Sequence, residues 1–205
     1  MILKSLMMWV DDSVSTEDSK QFNLIRIAPF ILMHLSCLLV FWVGASPVAI
    51  IMAFVLYVIR GLSVTAFYHR YFSHKTFKAN RFWQFIFAVM GASAVQRGPL
   101  WWAANHREHH RFSDTSQDAH SPSVHGFWWS HVLWFLSNQH FHYNRSSVKD
   151  WLKFPELCWL NRFVTIVPLC LIAALYGLGT YLAHVHPTLH TSGSQLVIWG
   201  FSIST

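Results

Sequence analysis

Residues 27–59, IAPFILMHLSCLLVFWVGASPVAIIMAFVLYVI, run without a single Asp, Glu, Lys or Arg. That is too long for one membrane span, which needs about 20 residues. Gly44-Ala45-Ser46-Pro47 divides the run, because Gly and Pro punctuate helices and the residue before proline resists the helical region. The stretch therefore predicts two helices, about 25–44 and 47–68, joined by a tight turn into a transmembrane hairpin.

Working outward, a shorter apolar stretch, 82–96, ends at Arg97-Gly98-Pro99. Its length suits a helix lying in or dipping into the membrane better than a span. No charged side chain occurs from Phe163 to Thr205. Gly193 and its polar neighbours split that tract into a third span, about 162–184, and the beginning of a fourth. Counted from Ser194, the fourth stretch has about 12 residues, short of the roughly 20 a span requires, so the sequence reads as truncated at its C-terminus. Arg60, Arg70, Lys75, Lys78, Arg81, Arg97, Arg107, Arg111, Arg145, Lys149, Lys153 and Arg162 all follow the hairpin turn and precede the third span, whereas 44–47 and 185–194 hold no Lys or Arg. By the positive-inside rule the central segment is cytoplasmic. The expected architecture is an all-α, polytopic membrane protein: a transmembrane helical hairpin, a further span, a partial fourth, and a cytoplasmic helical cap able to bind metal. Residues 1–24 are expected to be a cytoplasmic N-terminal segment and 25–205 one domain.

Composition agrees. Hydrophobic residues make up 53% of the 205 and charged residues 12%, against roughly 25% charged in a soluble protein. The net charge of +6 follows from loop bias in such a chain, so nucleic acid is not expected as a partner. Cys37, Cys158 and Cys170 sit among apolar neighbours without paired spacing, which argues against a disulfide framework. The polar, acidic stretch Asp11–Asp18 is unlike the apolar core of a signal peptide.

Histidine, with 14 copies against 15 Lys and Arg together, carries the chemistry. His69-Arg70-Tyr71-Phe72-Ser73-His74 has the form HxxxxH at the cytoplasmic end of the second helix. On a regular α-helix a five-residue step sets the two rings about 140° apart. They converge on one metal only if the helix ends or loosens there; otherwise they serve two metals. His106-Arg107-Glu108-His109-His110 has the form HxxHH. Positions i, i+3 and i+4 share a helix face, so three imidazoles project together, and neutral imidazole is the commonest ligand for iron, zinc and copper.

The residues around these boxes, GLSVTAFYHRYFSHKTF (61–77), WWAANHREHHRFSDTSQDAHSP (101–122) and GFWWSHVLW (126–134), resemble the membrane-bound fatty acyl desaturases, of the acyl-CoA delta-9 type. The similarity extends more loosely over about 22–205. It implies an O2-dependent enzyme holding two non-haem irons with histidine and placing a double bond, delta-9 by the resemblance, in a saturated acyl chain. It makes His69, His74, His106, His109 and His110 iron ligands, and places Gln96 and Trp102 at the bend of the acyl tunnel. It also implies an acyl-CoA or other carrier as substrate, membrane lipid as surroundings, and a cytochrome b5-like or ferredoxin-like electron donor. The family carries a third box, HxxHH, with a further histidine ahead of it; this sequence contains neither. Five ligands are too few for two irons, so the chain is expected to be inactive alone. Two rival readings are a di-iron hydroxylase of lipid or alkane and a non-catalytic membrane fragment.

Asp114, Asp118 and His120 match a family stretch near the second box. Carboxylates there could orient ligating imidazoles, or equally cap helices and form Asx turns. Ala119 replaces the family's usual proline. His131 is expected to pack or hydrogen-bond, and His34 to bond a neighbouring helix. Where acyl-CoA enzymes carry charged residues that grip the coenzyme, this sequence has Ala104-Asn105 and Ser137-Asn138-Gln139, which leaves the carrier open among CoA, an acyl carrier protein and a lipid.

Overall fold

The computed structural model describes residues 22–205, the side chain of Arg26 excepted; the segment expected at 1–24 thus lies almost wholly outside the described residues. Helix α1 spans Leu24–Ser36 and continues through a 3-10 turn, Cys37–Leu39, into Val40–Val43. Gly44, at φ 67°, ends it in a backbone conformation that costs glycine little. Ser46 then caps α2 (Pro47–Leu62), its hydroxyl accepting from Ala49 N at 3.2 Å, with Pro47 in the first turn. The chain winds on without a break as a π-helix, Ser63–Ser73. Helix α3 covers Arg81–Ala92, α4 Pro99–Phe112, α5 Pro155–Arg162, α6 Ile166–Val185 and α7 Gly193–Val197, the last running into a π-helical turn, Ile198–Ile203. Among the described residues there is no strand, only an isolated antiparallel bridge between Phe22 and Ser137.

The continuous helix Pro47–Ser73 and α6, with 27 and 20 residues, are long and apolar enough to cross a membrane. Only 17% of the most apolar window of each is buried against protein, so their apolar surfaces face outward on most sides, as lipid-facing helices do. The first helix of the expected hairpin, Ile27–Val43, is apolar but shorter. The helix expected over 82–96 stops at Ala92, because Val95 (φ 59°) and Arg97 (φ 71°) turn the backbone out of the helical region.

Helices α1, α2, α6 and α7 form one bundle. Its far end is tied where Ser46 Oγ meets Thr191 Oγ1 at 2.8 Å, Gln195 Nε2 donates to Val43 O at 2.8 Å, and Trp199 Nε1 donates to Gly44 O at 2.8 Å. Helices α6 and α7 close on one another at Gly179, where a methyl group would come within 2.4 Å of Ser192 O. Arg60, grouped by charge with the cytoplasmic loops, lies instead inside α2 and is buried. Its Nη1 donates to Phe201 O and Ser204 Oγ and also meets Thr205 Oγ1, which ties α2 to the turn after α7, while its Nε and Nη2 are buried without a hydrogen-bond partner. His34 also departs from expectation: its Nδ1 meets Phe30 O of its own helix at 2.8 Å.

The largest buried cluster lies at the opposite end of the bundle. Tyr68, Tyr71 and Phe72 of the π-segment pack there with Ala88, Leu100, Ala103, Ala104, Val148, Trp151, Leu157 and Leu160. Alanines on α3 and α4 let the helix backbones approach, and the aromatic rings fill the space between. This core is the platform on which the histidines stand.

Candidate metal centre

The π-winding resolves the geometry of the first box. In a π-helix the hydrogen bonds close over five residues, and His74 N donates to His69 O at 3.1 Å. A five-residue step therefore returns near its starting face, where an α-helix would set the rings far apart. The ring centroids of His69 and His74 lie 4.6 Å from each other.

The second box divides. His106 and His110 turn toward the first box: the centroids of His69 and His106 are 4.6 Å apart, those of His74 and His110 4.8 Å, and those of His106 and His110 4.5 Å. His106 Nε2 stands 3.0 Å from Nε2 of both His74 and His110. One nitrogen from each of the four rings lies within 4.8 Å of the others. His109 does not join them. Adjacent helical residues point about 100° apart, so His109 diverges from His110 and forms a second grouping of donor atoms with Asp118 and His120. The expectation that three rings share one face holds for two.

Four imidazoles facing one another, with no carboxylate in the set, suit a cation. Burial first, then the neighbouring histidines, pushes the His106 imidazole down to about 3; His74 is lowered for the same reasons, with Arg107 adding to them. His106 and His74 are thus neutral at physiological pH, with lone pairs available. Nitrogens about 2 Å from one ion lie no more than about 4 Å from one another, so a small contraction would close the set on a metal.

Around His109 the surroundings differ. Asp118, 1% exposed, accepts from His109 Nδ1 at 2.9 and 3.0 Å, from Asp114 N at 3.0 Å and from His120 N at 3.2 Å. Burial pushes the Asp118 carboxyl up, but the hydrogen bonds from His109 and the two backbone amides hold it below its usual range. A charged carboxylate on Nδ1 leaves Nε2 of His109 as the lone-pair nitrogen. Asp114 accepts from Ser121 Oγ at 2.6 Å and Ser123 Oγ at 2.9 Å and so organises the loop. His120 stacks between His109, at 4.3 Å, and Trp134, at 4.6 Å. His131 stacks on Phe127 at 5.2 Å.

Gln96 and Trp102 touch: Trp102 Nε1 donates to Gln96 Oε1 at 3.3 Å, and the Trp102 ring stacks on His106 at 4.8 Å.

Three residues acquire a role in positioning the ligand helix only in the folded chain. Arg107 points away from the cluster and donates to Ser73 O, Phe72 O and Ser147 O, with a two-pronged bond to Asp150 at 2.8 and 3.1 Å. It locks α4 against the end of the π-segment. Asn161, on α5, accepts at Oδ1 from Leu100 N at 3.0 Å and Trp101 N at 2.9 Å. It thereby caps α4 from another helix, where Gly98 and Pro99 have no capping side chain. Gly98 is required at this approach, since a methyl group there would lie 2.2 Å from that oxygen.

No family model matches the chain. Among curated proteins, it is 36% identical over 181 residues to an sn-1 stearoyl-lipid 9-desaturase of Synechocystis, covering 85% of this chain and 51% of that protein. It is 34% identical over 159 residues to the chloroplastic palmitoyl-monogalactosyldiacylglycerol delta-7 desaturase of Arabidopsis thaliana, covering 76% and 39%. It is 30% identical over 194 residues to delta-9 acyl-lipid desaturase 1 of Arabidopsis thaliana, covering 88% and 63%. Its relatives are desaturases. The chain spans between 39% and 63% of the length of these desaturases.

Proposed function

We propose that this chain supplies two histidine boxes of an O2-dependent, di-iron fatty acyl desaturase embedded in a membrane, with the boxes on the cytoplasmic face. One observation carries it: four imidazole nitrogens, from the π-wound end of one apolar helix and from α4, face one another within 4.8 Å. In this reading His69, His74, His106 and His110 hold one iron. His109, held by Asp118, faces a second, whose other ligands are not among the five box histidines.

Bound iron would supply, with dioxygen and two electrons from a donor, the oxidising power needed to remove two hydrogens from an unactivated methylene pair as dioxygen is reduced to water. The protein residues bind and orient. Arg107 and Asn161 hold α4 in register, and Asp118 keeps His109 in one tautomer. Trp102 offers an apolar wall against His106, with Gln96 beside it as a polar stop for the acyl chain. The double bond is proposed at delta-9. A cytochrome b5-like or ferredoxin-like protein is the proposed donor.

The proposed acyl carrier is a membrane lipid. At the positions where acyl-CoA enzymes carry charge, Asn105 donates to Trp101 O of its own helix, while Ser137 and Asn138 are buried. The names of all three relatives above also specify a lipid-linked acyl chain.

The test uses the purified full chain, loaded with ferrous iron without oxygen and then stripped of loose metal. Wild type and His131→Ala are expected to retain iron and His106→Ala to lose most of it; equal retention in all three would overturn the site. With a saturated acyl-lipid, dioxygen and a reductant, the chain completed with the C-terminal part of a matching desaturase is expected to give a product that lacks two hydrogens. A hydroxylated product without an alkene would refute desaturation.

A further inference from the structure

From Ala119 to Asn144 the chain carries no Asp, Glu, Lys or Arg. Within this tract Gly126–Leu136 presents large apolar side chains outward: Phe127 is 62% exposed and Trp128 72%, with Val124 and Leu133 exposed beside them. The inner face is well occupied. Trp129 Nε1 donates to Ala119 O at 3.1 Å, Trp134 stacks on Trp101 and His120, and Leu136 is buried. The segment is therefore firmly seated, and its exposed aromatics are not loose ends.

Its location indicates what covers them. Ser137 pairs with Phe22 just ahead of α1, and Phe135 meets Phe30 at 5.7 Å between ring centroids. Phe30 lies about 9 Å along α1 from its first residue, at 1.5 Å per residue. The segment thus runs beside the opening turns of an apolar helix whose Leu24, Ile31 and Leu32 are themselves exposed. Its bare face continues the outward apolar face of the bundle.

We infer that Gly126–Leu133 lies in the boundary between lipid headgroups and acyl chains, with Phe127 and Trp128 immersed in lipid. Aromatic side chains favour that layer, and an interfacial element buries its apolar face roughly 5–10 Å into it. The segment is then a strap rather than part of a water-exposed cap. Trp134, which follows it, stacks on His120, itself a member of the second donor grouping, so the membrane surface lies one ring away from that grouping. The inference concerns the surface and does not depend on which metal or reaction the histidines serve.

The test is site-directed spin labelling of the full chain in phosphatidylcholine–phosphatidylglycerol vesicles, in a background with Cys37, Cys158 and Cys170 replaced by serine. Labels at Trp128→Cys and, independently, Val124→Cys are compared with Phe54→Cys on α2 and with Lys149→Cys, which is exposed among polar neighbours. At Trp128 and Val124 collisions with oxygen should exceed those with a polar nickel chelate several-fold, as at Phe54. Nickel-chelate accessibility at both positions matching that at Lys149 would overturn the proposal and mark the face as open to water or to a protein partner.

Discussion

Replacing Asn161 by leucine should destabilise the ligand helix without touching a histidine. The side chain is 5% exposed, and its Oδ1 is the acceptor for two backbone amides at the start of α4, Leu100 N and Trp101 N. Leucine has a similar volume and no acceptor, so both donors would be left buried and unpaired. At about 1–3 kcal/mol for each such group, and with some relaxation of the helix start, a loss of about 3 kcal/mol is expected. For a chain of this size each kcal/mol shifts the melting temperature by roughly 2–4 °C, so thermal unfolding in detergent should fall by roughly 6–12 °C. Asn161→Asp keeps the acceptor and adds negative charge at a helix N-terminus, a favourable place for it. At neutral pH it should melt near wild type. A leucine variant melting within about 1 °C of wild type, or an aspartate variant as unstable as leucine, would refute the capping argument.

Asp118→Asn removes the carboxylate from His109 Nδ1 and should weaken metal binding about 10–100-fold; titration of the purified chain with ferrous or cobaltous ion reads this, and unchanged affinity would count against a ligand role for His109. Burial raises the Asp150 carboxyl, but hydrogen bonds from Arg107 and Lys75 outweigh that and hold it below its ordinary value of 3.8. The unfolded chain therefore binds more protons in acid, so this contribution is complete above pH about 4 and is lost as pH falls through the depressed folded value. Asp150→Asn should lower the melting temperature at pH 7 and flatten its decline in acid, and an unchanged acid slope would refute the assignment. Gly179→Ala would drive a methyl group to 2.4 Å from Ser192 O and 2.8 Å from Gly193 Cα. Because both contacts are backbone, α6 and α7 must separate at a cost of about 1–3 kcal/mol, and an unaltered melting curve would show that the pair yields freely.

Much of the architecture was legible because lipid imposes a coarse rule. Backbone polar groups must be satisfied internally and charges excluded, so the uncharged run 27–59 and the tract after Phe163 mark apolar helices by composition alone. The histidines were legible as candidate ligands too, since the HxxxxH and HxxHH boxes gather imidazoles in a chain otherwise poor in polar side chains. The sharing of those ligands was not legible. His69 and His74 meet because Ser63–Ser73 is π-wound, a winding that the packing of Tyr68, Tyr71 and Phe72 against α3 and α4 accompanies and that no local propensity announces. Arg107 looks in sequence like one more cytoplasmic cation, and Asn161 like an ordinary polar residue near a helix end; each acquires its role from partners far along the chain. The sequence by itself marked which side chains are candidate metal ligands and which segments are apolar enough to avoid water. Tertiary structure alone decided that four imidazoles converge while His109 turns to Asp118, because convergence depends on helix winding and on the angle between helices, which are properties of packing rather than of spacing.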